Sequence, residues 1–175
     1  MLFELDGVAP RIDPTAWVAP TAVVVGDVWL GPGSGIWFGC MIRGDTNRIR
    51  IGARTNVQDL TVVHVNEGEG GATEIGDDIT IGHMAIVHAC TLQNGAFVGM
   101  GATVLDGAVI EEGGMLAAGS LLTPGKRIPK LELWSGRPAK KMRDLPPEDR
   151  KLFDQNAIHY ASLAQRYGRG LRQVG

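Results

Sequence analysis

Cysteine is scarce in this 175-residue chain. Only Cys40 and Cys90 occur, too few for a disulfide framework and without the paired spacing of a zinc knuckle. Both are expected to stay reduced and buried, in the similar small-residue slots IWFGC and IVHAC. An excess of either charge is lacking too: 17 basic residues against 19 acidic ones leave no basic footprint for nucleic acid or an anionic membrane. No apolar run approaches the roughly 20 residues that a membrane span needs. The N-terminus, MLFELDGVAP, carries Glu4 and Asp6 where a signal peptide would place positive charge. These absences point to one cytoplasmic domain without nucleic-acid or membrane partners.

Glycine, by contrast, is abundant, with 25 residues spread along the chain. Its even distribution directs attention to internal repeats. Aliphatic residues recur every six positions at Val18, Val24, Leu30, Ile36 and Ile42, then at Ile51, Val57 and Val63, then at Ile75 and Ile81. From Leu92 the beat runs through Val98, Val104, Ile110, Leu116, Leu122 and Ile128. A six-residue period matches no helical face, and β-branched residues dominate it, so each hexapeptide is expected to supply one short strand. Three hexapeptides, about 18 residues, then close one triangular coil, and coils stack at the spacing of neighbouring strands. The fold class is an all-β solenoid, a parallel β-helix of about six coils over residues 18–129.

The beat breaks between Ile42 and Ile51, in the NEGEGGATE stretch after Val65, and between Ile81 and Leu92. Irregular positions are the ones not committed to packing, so function is expected there. Beyond the repeats, Ser135, Gly136, Arg137 and Pro138 read as a turn. A helix start follows at Pro146, Pro147, Glu148 and Asp149. Leu152, Phe153, Ala157, Tyr160, Ala161 and Ala164 form an apolar stripe, with Gly168 as the stop. The division is therefore residues 1–134 as β-helix with a short lead-in, and residues 135–175 as a turn and a C-terminal α-helix packed on it.

Three of the four histidines, His64, His83 and His88, fall within TVVHVNEGEGGATEIGDDITIGHMAIVHA. His64 and His88 are separated by one coil plus a six-residue loop, which sets them on equivalent sides of adjacent coils. His83 lies nearly one prism side before His88 and projects near a different corner. That separation favours two ligands from one chain and one from a neighbour in a side-by-side trimer. Three imidazoles without a fourth protein ligand is the donor set of a catalytic zinc ion with an open position. Cys90 is the available closing ligand, with burial the competing reading, and His159 is expected on the helix surface. Arg43 and Asp45 suit an ion pair or a catalytic role, Gln58 suits holding a bound water, and Glu67 and Glu69 suit passing protons.

The run RGDTNRIRIGARTNVQDLTVVHV, followed by IGHMAIVHACTL and SGRPAKKMRDL, resembles the γ-class carbonic anhydrase family of left-handed β-helix proteins. The resemblance covers nearly the whole chain. It implies left-handed coiling and a homotrimer with interfacial metal ions, each held by His64 and His88 of one subunit and His83 of the next. It also implies an intersubunit salt bridge of Arg43 and Asp45, Gln58 beside the metal-bound solvent, Asp59 as a structural neighbour, Asn56 in the same motif and Tyr160 near the pocket. The acidic loop is shorter than in the founding enzyme, and Thr46 stands where that enzyme has a glutamate. The implied activity is reversible hydration of carbon dioxide to bicarbonate, with Zn2+, or Fe2+ or Co2+, as cofactor. A hexapeptide-repeat acyltransferase, using one histidine and no metal, and a non-catalytic metal-bearing trimeric scaffold are the alternatives.

Overall fold

The computed structural model describes residues 1–174 as a left-handed parallel β-helix closed by one C-terminal helix. Two sheets wrap the prism. A 12-stranded sheet covers two faces, because the long strands Val23–Leu30 and Met41–Ile51 turn the corner between them, and an 8-stranded sheet forms the third. Every beat residue except Val18 is buried, and they stack from turn to turn, as in Val98 on Leu116 and Ile110 on Ile128. Val18, in the first coils, is only half-buried.

The irregularities have local causes. Leu30 pairs with Ile51, a step of 51 − 30 = 21 residues. The three extra residues are absorbed where the register shifts between Gly26 and Val28. Gly26 sits there at φ +76°, and a Cβ on it would lie 2.2 Å from the carbonyl oxygen of Gly44, so only glycine fits. Ile51 pairs with Ile75, Val57 with Ile81 and Val63 with Val87, steps of 24 that carry the six-residue excursion. Ile75 pairs with Leu92, a step of 17.

The solenoid makes about seven turns, against about six expected over residues 18–129 alone. Strands Leu2–Phe3 and Arg11–Ile12 pair onto Val23–Leu30, so the coiling starts earlier than the beat does. A hairpin of Glu132–Gly136 and Ala139–Asp144 ends the third face, with the expected turn at its tip. The helix runs Pro147–Gly170, two residues past Gly168, and begins at the acidic, proline-marked turn. Its stripe buries Ala157 and Ala164 on the prism, whereas Leu152 is 60% exposed. Tyr160 and Tyr167 pack edge-on to Trp37, at ring distances of 5.4 and 5.1 Å, which fixes the helix to the third face. Among the described residues no helix is long and apolar enough to cross a membrane.

Each inward aliphatic is surrounded by the coils above and below, so the cavity left by truncation cannot collapse. Leu116→Ala is expected to cost about 2–5 kcal/mol. A denaturant midpoint unchanged from wild type, at equal protein concentration, would contradict this packing.

Candidate metal centre

Strands Val62–His64 and Ile86–His88 pair in parallel with His64 directly opposite His88. One backbone ladder therefore stacks the two imidazoles, whose centroids lie 5.1 Å apart. Arg43 occupies the next position in the same column. Asp45 emerges beside it from the register shift of Met41–Ile51, pairs with Arg43 through one carboxylate oxygen, and takes His64 Nε2 at 3.1 Å on the other. On the far side Asp106 meets His88 Nδ1 at 2.6 Å.

These partners orient both rings. Burial pushes the Asp45 carboxyl up, but bonds from Arg43, His64 and the Thr46 N–H outweigh it and hold the group below the usual aspartate range. Asp106 is held below that range by the His88 bond first, with Asn66 adding to it. Each carboxylate is then an acceptor, so His64 carries its hydrogen on Nε2 and His88 on Nδ1. In neutral rings the remaining nitrogens, His64 Nδ1 and His88 Nε2, are both acceptors and face one another at 3.1 Å. Two acceptors at that distance repel unless a cation or proton is shared between them. Their separation is close to the ~3.3 Å donor–donor edge of a tetrahedral zinc site. The residues present fit a metal.

His83 does not join them. It follows the strand Thr80–Ile81 of the third face, with Nδ1 2.9 Å from Asp59 Oδ2. Among the described residues no three His, Cys, Asp or Glu side chains gather around one point. Near His83, Gln58 is buried and donates through Nε2 to Asn56 Oδ1 at 3.1 Å, while Asn56 donates to Thr80 Oγ1 at 3.0 Å. Asn156, on the helix, donates to the same Thr80 hydroxyl at 2.9 Å. Tyr160 stands at this side of the prism too. Burial, then the Asp59 charge, pushes its phenol above the usual value.

The site residues thus fall into two groups on one chain. Arg43, Asp45, His64 and His88 form the first, and Asn56, Gln58, Asp59, His83 and Tyr160 the second. Glu67 and Glu69 lie on the exposed excursion whose base Asn47 grips, donating to the carbonyls of Asn66 and Gly68. Arg43 and Asp45 pair within the chain. Sequence reasoning missed Asp106 and Thr80. Spacing gave no signal for Asp106, because the ladder beside it steps by 17 residues, Val87 onto Val104, while Asp106 lies 18 after His88.

The site and fold define a hexapeptide-repeat β-helix protein carrying a histidine pair on its outer face. No protein-family model matches the chain. Gamma carbonic anhydrase 2, mitochondrial, of Arabidopsis thaliana is 50% identical over 161 residues, 90% of this chain; the chain spans 58% of that protein's length. The carbonic anhydrase of Geobacillus kaustophilus is 37% identical over 167 residues, covering 95% of this chain and 91% of that protein. Among solved structures, a hexapeptide transferase family protein from Anaplasma phagocytophilum superposes with a TM-score of 0.91 at 49% identity, covering 95% of this chain and 97% of that one. The chain belongs to the gamma carbonic anhydrase family.

Neither cysteine takes part in the candidate centre. Burial pushes the Cys90 thiol up to about 12 and the Cys40 thiol up to about 11. Both stay protonated at neutral pH and are poor ligands. The raised native values also mean that the unfolded chain loses thiol protons first. Their contribution to stability is therefore intact below about pH 9 and falls as pH climbs from 9 to about 11 for Cys40 and to about 12 for Cys90. A disulfide reagent at pH 8 is expected to label neither thiol until denaturant is added; fast stoichiometric labelling of native protein would reverse this assignment.

Proposed function

We propose that the protein is a carbonic anhydrase, hydrating carbon dioxide reversibly to bicarbonate and a proton, and that it works as a homotrimer. The observation that carries the reading is the pair of ring nitrogens, His64 Nδ1 and His88 Nε2, that face one another at 3.1 Å while a carboxylate holds the other nitrogen of each ring. Names of the family relatives support the same chemistry.

In this reading His64 and His88 of one subunit and His83 of the next hold a divalent ion. Zn2+ is favoured by a set of neutral imidazoles, and Fe2+ and Co2+ suit the same donors. When bound, such an ion supplies the Lewis acidity that makes water a nucleophile near neutral pH. Asp45, Asp59 and Asp106 keep the three rings in the ligating tautomer. Gln58, with one N–H committed to Asn56, keeps its carbonyl oxygen free to orient the attacking water. The exposed carboxylates of Glu67 and Glu69 take the released proton to buffer, and Tyr160 with Trp37 walls the pocket. The location is taken as cytoplasmic, although the Arabidopsis relatives are described as mitochondrial.

The surface supports the trimer. Leu60 and Met84 sit at φ +64° and +58°, in the corner where neighbouring coils use Gly39 and Gly101. A left-handed conformation costs a residue with a Cβ about 1–2 kcal/mol. Both side chains are also 60% exposed, and they directly follow Asp59 and His83. Met41, Val62 and Ile86 form a second exposed apolar row, two positions before Arg43, His64 and His88. Burying the strained apolar corner of one copy on the apolar row of the next offsets both costs and brings His83 to the histidine pair. Arg43 and Asp45 lie at the same seam.

A transferase reading draws on the Anaplasma structure's description. It needs no metal, so elemental analysis of purified protein separates the two.

His83→Ala and His64→Ala are each expected to lose metal and hydration activity while keeping the β-helix. Mixed from denaturant in equal amounts they are expected to recover about a quarter of wild-type activity, because half the first groups and half the second are intact and each site takes one of each. No recovery in properly assembled mixed trimers would sink the shared-site reading.

A further inference from the structure

We infer that Asp106 is a positioning residue that couples the excursion loop to the metal centre, an inference that rests on the metal reading above. Its two carboxylate oxygens serve two masters. Oδ1 receives His88 Nδ1 at 2.6 Å, and Oδ2 accepts from Asn66 Nδ2 at 3.0 Å. Asn66 is the first residue of the loop. Its N–H donates to the Gly71 carbonyl at 2.8 Å, closing the loop base, and its Oδ1 accepts from the Glu67 N–H at 3.0 Å.

The loop has little else to hold it. Residues 66–70 are exposed, and no atom lies within 4 Å of where a Cβ on Gly68 or Gly70 would point. Asn47 fixes two loop carbonyls, and Thr73, where the chain rejoins the prism, donates to the His64 carbonyl at 2.6 Å. Among the described residues Asp106 is the one side chain hydrogen-bonded to both the loop and a proposed ligand ring. Turning that carboxylate moves His88 Nε2 and the approach of Glu67 together. Second-shell partners of this kind govern metal retention by orienting the ring.

The chemistry of the bridge dictates its test. In Asp106→Asn one amide end can still accept from His88, but the other then aims an NH2 at the NH2 of Asn66, and the loop bond is lost. Adding Asn66→Asp reverses that donor and acceptor: the residue-106 amide donates to the new carboxylate while its oxygen still accepts from His88 Nδ1. The zinc-loaded full chain of wild type, D106N and D106N/N66D is compared by zinc release to a chromophoric chelator and by amide exchange of residues 66–72. The 15N shifts of His88 are read in the metal-free proteins.

D106N is expected to release zinc roughly 10–100-fold faster and to lose loop protection. The double variant is expected to regain most of both. Wild-type zinc release in D106N overturns the inference, as does a loosened loop without faster release. A double variant no better than D106N overturns the bridge. A wild-type chain that takes up no zinc fails the metal reading instead, and loop exchange with the His88 shifts still judges the bridge. Asp106 is surface-accessible, with 43% of its side chain exposed, so the replacement leaves the core intact.

Discussion

Parallel stacking of one coil on the next is the constraint on which everything else in this molecule depends. The ladder carries each backbone position onto its counterpart one turn later, roughly 4.8 Å away. Inward positions then meet only inward positions, so the interior accepts a single class of side chain. Outward positions gain neighbours in the same way, however far apart they lie in sequence. His64 meets His88 across 24 residues because the ladder returns both to the same column, and Asp106 reaches His88 from the next coil, just past the pairing of Val87 with Val104. Extra residues do no harm when they leave the prism and return in phase, as the excursion at 66–72 does.

This explains which parts were legible in the sequence. The aliphatic beat could be read because any other residue at those positions would empty or overfill a narrow core. Val87 escaped notice, since the step of only five residues to Leu92 hides it inside a regular run. The early strands Leu2–Phe3 and Arg11–Ile12 were invisible because they pair through backbone on an exposed rim and need no buried beat. Asp106 was hidden differently. In VLDGAV it looks like the corner residue of a turn, and only the fold reveals that its carboxylate faces an imidazole. Handedness came from the family resemblance, because a period of six is the same for either hand, whereas the three histidines were already marked by their clustering and spacing.

Strain and exposure coincide at one corner. Leu60 and Met84 hold backbone angles that neighbouring coils give to glycine, and they leave large apolar side chains in water. Within a lone chain each feature is unfavourable, and consistency between local and global structure normally removes such conflicts. Their position directly after Asp59 and His83 turns the conflict into information about assembly. The regular coils hold the prism together, and the departures from regularity mark where a second copy is proposed to bind.

The flatness of a β-helix face gives a further reason for a site shared between subunits. Side chains standing on one face project in nearly the same direction, so a stacked pair such as His64 and His88 can approach an ion from one side only. A third donor from the same column would have to come from another coil and would lie in line with the first two. Tetrahedral geometry instead requires a donor from across the ion. In the proposed trimer a neighbouring prism presenting its corner would bring His83 from that direction. In the same assembly the second group, with buried Gln58 held by Asn56 and Thr80 and with Tyr160 against Trp37, would arrive as a rigid unit from the opposing subunit. Rigidity on both sides is what such a division needs, because the distance between donors is set by two cores rather than by a loop.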